Sequence, residues 1–197
     1  MYIFYTFLLF FYSCLGFLGS DVKSGEALQE QIILLLSKKV CKACDLRNAD
    51  LVHADLRNRD LSGSDLTGAN LNNSILDGSK LENVNFTDVN LNGASLRYSD
   101  LSGAVLDGTD LRNSDLTGIK FDKGALSKAY WRNSIGVELK ILSYEELHNA
   151  GSEFLEDGLF QKAEYYFDLA SKKNAESPFS LMALAYTQIK LGKLSLS

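Results

Sequence analysis

The chain holds one proline, one tryptophan, two histidines and three cysteines among 197 residues. Three cysteines are too few for a disulfide-scaffolded fold. His53 and His148 lie far apart in sequence and leave little from which to build a metal centre. No HExxH, GxSxG, P-loop or GxGxxG stretch occurs, so the hydrolytic and nucleotide chemistries carried by those motifs have no anchor. Formal charge is −5, and no basic stripe of the kind that follows nucleic-acid phosphates is visible. These absences predict no catalytic residue, no cofactor, no metal and no nucleic-acid partner.

Charge is also lacking from the first nineteen residues, MYIFYTFLLFFYSCLGFLG. Such a run, followed by small residues near Gly16, Gly19 and Ser20, fits a secretory signal, although no Lys or Arg precedes its apolar core. It is also about long enough for a minimal membrane span. A lipid-modified Cys14 is a third reading, opposed by bulky Tyr12 where a small residue is preferred. Residues 1–20 are thus expected to be a signal peptide or a membrane anchor. The body is then exported to a periplasm or thylakoid lumen, or anchored facing that side.

What the chain has in quantity is a period of five. Stepping from Leu46 to Leu126, every fifth residue is Leu or Phe, with Phe at 86 and 121. On an α-helix five residues advance about 500°, which would scatter the leucines around the axis. On a flat strand an odd step alternates faces. The leucines share one interior only if the chain turns a corner once per five residues. Two residues after most leucines stand Asn or Gly, such as Asn48, Gly63, Asn73 and Gly93. These are the residues that tolerate left-handed backbone angles. Two residues before stand Ala or Ser, such as Ala54, Ser64 and Ala69, small enough to let the interior close. The block is a solenoid.

Charge decides how many sides each coil has, because like charges stacked about 4.8 Å apart are unfavourable. Stacking residues twenty apart gives the columns Asp60–Lys80–Asp100–Lys120 and Arg57–Asp77–Arg97, with one like pair, Asp45–Asp65. Stacking residues fifteen apart sets like charges together more often, as in Arg97–Arg112 and Asp107–Asp122. Four sides are predicted. ADLRN at 54–58 and ANLNN at 69–73 resemble the A(D/N)LxX motif of the pentapeptide-repeat family. The resemblance covers about residues 44–123 and implies a right-handed, four-sided parallel β-helix of about four coils. Arg59 and Ile119 depart from it by filling a small inward position, and Arg59 is expected to lean out at a corner.

Both ends of such a stack need covers. Residues 24–39 form an amphipathic pattern with Leu28, Ile32, Leu35 and Leu36 on one face and Ser24 as a candidate N-cap. Cys41 and Cys44 then fall in the leucine and small-residue registers and should point inward. They are a candidate disulfide, or two small buried apolar residues; metal binding and thioredoxin-like chemistry are the less supported readings. After residue 126 the pattern changes. Residues 145–178 resemble a tetratricopeptide (TPR) repeat, through Leu147, Gly151, Ala163, Tyr166, Phe167 and Ala170, and Leu147, Gly151 and Gly158 recur as Leu181, Ala185 and Gly192. One and a half repeats are implied.

The expected architecture is mainly β. It comprises residues 21–40 as an N-terminal capping helix, 41–126 as the pentapeptide-repeat β-helix, 127–144 as a linker and 145–197 as TPR-like helices. Tyr144, Phe154, Phe160, Tyr165 and Tyr166 form the candidate partner surface, facing an unidentified protein or a second copy of the chain. The expected function is a non-catalytic protein-interaction scaffold outside the cytoplasm. The alternative is the DNA mimicry by which some pentapeptide-repeat proteins act on gyrase. Residues 44–123 carry thirteen acids and eight bases, whereas a duplex stretch of about 19 Å, the length of four coils, would present about eleven largely bare negative charges. Fused to a reporter active only outside the cytoplasm, residues 1–30 should give activity; an inactive, cytoplasmic reporter would remove the export reading.

Overall fold

The computed structural model describes residues 21–194, so the run read as a signal or anchor lies outside it. A helix α1 (Asp21–Lys38) leads into the solenoid, and three helices follow: α2 (Tyr144–Glu156), α3 (Phe160–Lys173) and α4 (Pro178–Lys190). Among the described residues no helix is long and apolar enough to cross a membrane.

From Val40 to Ile135 the solenoid is held by parallel bridges between residues twenty apart, such as Asp60 with Lys80, Lys80 with Asp100 and Asp100 with Lys120. The coil therefore has four sides. Leu46 N–H donates to Asp65 O at 2.8 Å, and Asp65 N–H returns to Cys44 O at 2.9 Å. A turn follows each bridge, closed by bonds such as Ala49 N–H to Leu46 O at 3.1 Å. Among the described residues no side lengthens into a regular strand; the β character resides in the ladder bonds.

Leu46, Leu56, Leu61, Leu66, Leu71 and their successors to Leu116 stack in one buried interior with Phe86. Corner asparagines such as Asn48, Asn58 and Asn73 take φ of 55–57°. Several corners alternate Asn with Gly down the stack: a Cβ on Gly78 would fall 2.6 Å from Asn58 Oδ1 of the coil before. The Asp or Asn ahead of many of these leucines also has a backbone task. Its Oδ1 accepts the N–H two residues on, as in Thr67 N–H to Asp65 at 3.0 Å and Asn92 N–H to Asn90 at 3.0 Å, an Asx turn repeated along the rod. Inward hydroxyls bond carbonyls, Ser64 to Cys41 O at 2.7 Å and Thr109 to Phe86 O at 2.8 Å.

Five expectations change. The segment 127–144 is not simply a linker, because the ladder continues through Asp110–Tyr130 and Asp115–Ile135. Ala129 and Trp131, each 5% exposed, occupy the small and leucine registers of this added coil, and Asn133 turns its corner at φ 60°. Arg59 does not lean out. It reaches toward α1, donating to Leu35 O at 2.8 Å and Leu36 O at 3.1 Å, where the last carbonyls of a helix lack partners. α1 already includes Asp21, so Ser24 lies inside the helix and is not its N-cap. Leu35 is buried on the first coil, but Leu36 is 46% exposed. In the charge columns, Asp77 pairs with Arg97 at 2.9 Å while Arg57 turns to Asp55 at 2.6 Å.

Gly136 ends the last coil at φ 85°, and a Cβ there would lie 2.7 Å from the Leu116 carbonyl carbon. Gly124, at φ 89°, has open space around it. We expect Gly124→Ala to cost about 1–2 kcal/mol, the left-handed penalty alone. Gly136→Ala should cost several kcal/mol, because backbone has to move. Thermal unfolding of the two variants checks the difference, and equal losses would show that the close approach is not real.

Candidate interaction surface on the C-terminal helices

Ser143 starts α2 as a capping box. Its hydroxyl accepts from Glu146 N–H at 3.2 Å, and Glu146 Oε2 accepts from Ser143 N–H at 2.6 Å. The other carboxylate oxygen, Oε1, accepts from Leu126 N–H at 2.9 Å. Glu146 is fully buried, and its charge sits at a helix N-terminus, where the macrodipole favours it. One side chain thus caps a helix and joins it to the rod.

Other contacts extend that joint. Trp131 meets Tyr166 edge-on at 5.9 Å between centroids. Arg132 pairs with Asp157 and lies over the Phe154 ring. Asn149 Nδ2 donates to Ser127 O at 2.5 Å. Leu142, Leu147, Ala150 and Ala170 belong to the same core as the coil leucines, whereas Phe154, Ala163 and Phe167 form a smaller core between helices. Gly151 lets α3 close in, since a Cβ there would lie 2.7 Å from the Phe167 ring.

The expected partner surface is divided by this packing. Phe154 is only 4% exposed and is consumed in the core. Tyr166 is half-buried between Trp131 and Phe154, and burial pushes its phenol pKa up. Tyr144 stacks on His148 and shares a 2.6 Å hydrogen bond with Ser177 Oγ. Phe160 is half-buried at the start of α3. Tyr165 alone of the five stands clearly in solvent, 52% exposed. On one side of it lies a groove of about 280 Å³ floored by Leu139, Leu147 and Leu169 and edged by Lys140, Lys172 and Lys173.

His148 is half-buried. Its Nδ1 lies 2.8 Å from Ser180 Oγ and its ring 5.4 Å from Phe167. Burial lowers its pKa below the usual imidazole value, which favours the neutral ring. His53 is exposed at a corner. Cys41 and Cys44 point inward at the first coil with their sulfurs joined and Cα atoms 5.6 Å apart. Among the described residues, no three His, Cys, Asp or Glu side chains gather to hold a metal ion.

A further group of exposed apolar side chains lies on α4, outside the five residues expected to form the partner surface. On α4, Phe179 and Met182 are each 70% exposed, Tyr186 48% and Leu181 47%. The signal was present, because PFSLMALAYTQIK has a single charged residue, Lys190.

Comparison with known proteins assigns the rod. Residues 44–83 and 85–122 match the family model for pentapeptide repeats, in eight copies. That part of the chain is therefore a pentapeptide-repeat solenoid. Similar solved structures include HetL, a pentapeptide repeat protein involved in heterocyst differentiation regulation in the cyanobacterium Nostoc sp. strain PCC 7120. It is 32% identical over 48% of this chain and 44% of its own, with a TM-score of 0.41. A pentapeptide repeat protein of the Arabidopsis thaliana thylakoid lumen is 24% identical over 53% of this chain and 64% of its own, with a TM-score of 0.41. The protein alr5209 of Nostoc PCC 7120 is 28% identical over 57% of this chain and 88% of its own, with a TM-score of 0.46. The chain thus spans about half the length of the first of these relatives and under two thirds of the second. No curated protein matches significantly.

Replacing Glu146 tests the joint between rod and helices. Glu146→Gln keeps one acceptor but turns an NH2 group toward a buried N–H. We expect a loss of about 1–3 kcal/mol, the cost of leaving a buried polar group unpaired, with Ser143→Ala losing only about 1 kcal/mol. If urea unfolding shows Glu146→Gln to be neutral, Glu146 is not the tie between the two parts.

Proposed function

We propose that this chain is a non-catalytic protein-binding scaffold that acts outside the cytoplasm. A right-handed rod serves as a spacer, and TPR-like helices at its end carry the contact surface. The observation that carries the reading is the division of the exposed surface. Along the rod, acids and bases pair, as in Arg112–Asp110 at 2.7 Å and Lys120–Asp100 at 3.1 Å, and between the end coils the exposed large apolar residues are Val52, Tyr98 and Val105. At the helical end they cluster on Tyr165 and along α4. Contiguous exposed apolar surface of that kind marks binding sites.

Two features support the TPR-like reading. Gly158 and Gly192, thirty-four residues apart, follow α2 and α4 and take φ of 72° and 71°. Gly151 makes the close helix approach that the repeat pattern assigns to it. Export is supported by the uncharged leader and by the joined Cys41 and Cys44, since disulfides persist in oxidising compartments. DNA mimicry is disfavoured because most of the rod's acids, such as Asp55, Asp77, Asp100 and Asp110, pair with neighbouring Arg or Lys.

Crosslinking pull-downs of the full chain from its own compartment test the location of the surface. Tyr165→Ala should remove crosslinked partners, whereas Tyr98→Ala, at the most exposed rod aromatic (72% exposed), should keep them. The reverse pattern would assign binding to the rod.

A further inference from the structure

α4 is held differently at its two ends. Around its far end Gln188 and Lys193 reach Glu164 of α3, with Gln188 Nε2 3.2 Å from Glu164 Oε1. Along its middle Ala183 and Leu184 pack on the small core of Phe154, Ala163 and Phe167. At its start two side-chain hydrogen bonds tie it to α2. Ser177 Oγ lies 2.6 Å from Tyr144 Oη, and Ser180 Oγ lies 2.8 Å from His148 Nδ1. Ser180 is fully buried and Ser177 nearly so. Tyr144 and His148 stand one turn apart on α2 with their rings stacked, 5.8 Å between centroids.

This joint favours a neutral imidazole. The side chains facing the ring are Tyr144 from α2, Phe167 from α3 and Ser180 from α4. None carries a charge, and of the three only Tyr144 is titratable. Glu145 on α2 and Glu176 ahead of α4 are exposed. Burial lowers the ring's pKa, with no carboxylate to offset it. The start of α4 opposes a cation as well. Ser177 is its N-cap residue, but the Ser177 hydroxyl is turned to Tyr144 and bonds none of the helix N–H groups. The positive end of the helix dipole is thus left beside His148. An imidazolium also carries a proton on both nitrogens and can no longer accept from the Ser180 hydroxyl.

We propose that the start of α4 is an acid-released latch: His148 and Tyr144 hold it through Ser180 and Ser177 at neutral pH, and it lets go as the surroundings turn mildly acidic. With α4 released, the ring regains water and its ordinary pKa of about 6.5. With α4 docked, it binds the proton less tightly. Docking is therefore fully favoured above about pH 6.5, weakens as pH falls below that, and levels off below the docked value. Glu153, on the same helix but beside Arg132 and Arg112 of the rod, behaves in the opposite sense. Burial raises its pKa against the pull of those arginines, so acid strengthens its side of the joint. Acid thus secures α2 on the rod while it frees α4. Release would uncover Phe154, Ala163 and Phe167 and move the exposed Phe179, Met182 and Tyr186. The latch does not depend on whether the helices bind a partner.

Imidazole NMR and amide hydrogen exchange of the full chain in mild detergent, between about pH 7.5 and pH 5, test the latch. The chain has two histidines, and His53→Asn, which places the usual corner residue at 53, assigns the two signals. His148 should titrate below the ordinary imidazole value. As pH falls from that value to the His148 midpoint, the amides of Met182–Tyr186 should exchange faster, after correction for intrinsic rates. The acceleration should approach the ratio of the docked to the ordinary imidazole acid constant. Coil amides such as Leu91 and Leu96 should keep their protection. In His148→Gln, which retains a hydrogen-bonding side chain without a titratable ring, the acceleration should vanish. A His148 that titrates at or above the ordinary value would overturn the proposal. So would α4 amides indifferent to acid, coil amides that lose protection together with α4, or an acceleration that persists in His148→Gln. If that variant does not fold, the wild type alone decides: an acceleration outside the interval between the ordinary value and the His148 midpoint removes the latch.

Discussion

The rod depends on one repeated pattern, the backbone hydrogen bonds that tie bridge positions twenty residues apart on neighbouring coils. Single-bridge sides cannot hold together as an isolated pair of strands; they persist because each inner coil bonds to the coils on both sides and buries its leucines against theirs. The five-residue corner makes that bond available, since only a turn per pentapeptide returns the chain to the same column. Everything else in the repeat serves the corner or the column. Asn and Gly supply the left-handed turn, Asp or Asn ties down the following N–H, and Ala or Ser leaves room for the leucines. The carboxylates that look like functional acids are held in this work. Asp55 is held down to about 2 by the Arg57 side chain and backbone beside it. Burial raises Asp77, but the Ser95 hydroxyl and Arg97 outweigh it and leave its pKa below the ordinary value. A carboxyl with a lowered folded pKa stabilises above its unfolded value near 3.9, and that contribution is lost as pH falls through the folded value.

A bond that always needs a next coil is unsatisfied at the ends, and the molecule closes its two ends differently. At the first coil an arginine replaces the small inward residue. Its guanidinium carries the coil's interior outward to the free carbonyls of α1, so the helix C-terminus and the coil opening neutralise each other's need. At the last coil the ligand is reversed in sign. Glu146 accepts one N–H from the coil and another from the start of α2. In both cases a charged side chain bridges coil and helix through backbone groups, which is stronger than a neutral contact and aligns the helix with the stack.

Much of the rod is legible in the sequence because its rule is local and repeated. A leucine at every fifth position names the interior, and the Asp60–Lys80–Asp100–Lys120 column names the coil size without any coordinates. Exceptions are harder, since each depends on what lies across space. Trp131 extends the register, but a tryptophan in a leucine position, preceded by the irregular turn at 122–128, hides the continuation. Arg59 breaks the motif visibly, yet its destination is a carbonyl twenty-four residues away. On the helices, aromatic content alone could not separate Phe154, which faces Phe167 and Tyr166, from Tyr165, which faces water. That distinction is set by how the helices sit on the last coil, and no periodicity encodes it.

The same stacking favours a binding surface at the far end over one on the rod. A coil position that faces solvent stacks directly above and below its equivalents, so a large apolar group there would form a continuous column and invite lateral association. The rod avoids this by mixing Asp, Asn, Arg, Ser and Thr down each column, with lone exceptions such as Tyr98, whose ring lies over Gly118 of the next coil. The helices carry no such constraint. Their neighbours lie three and four residues away in one chain, so an apolar stripe can be built on one face of α4 without being repeated along the molecule. A repeat that multiplies every surface choice along its length is a poor place to put a single specific contact. The unrepeated helices at its end are where such a contact can be made once.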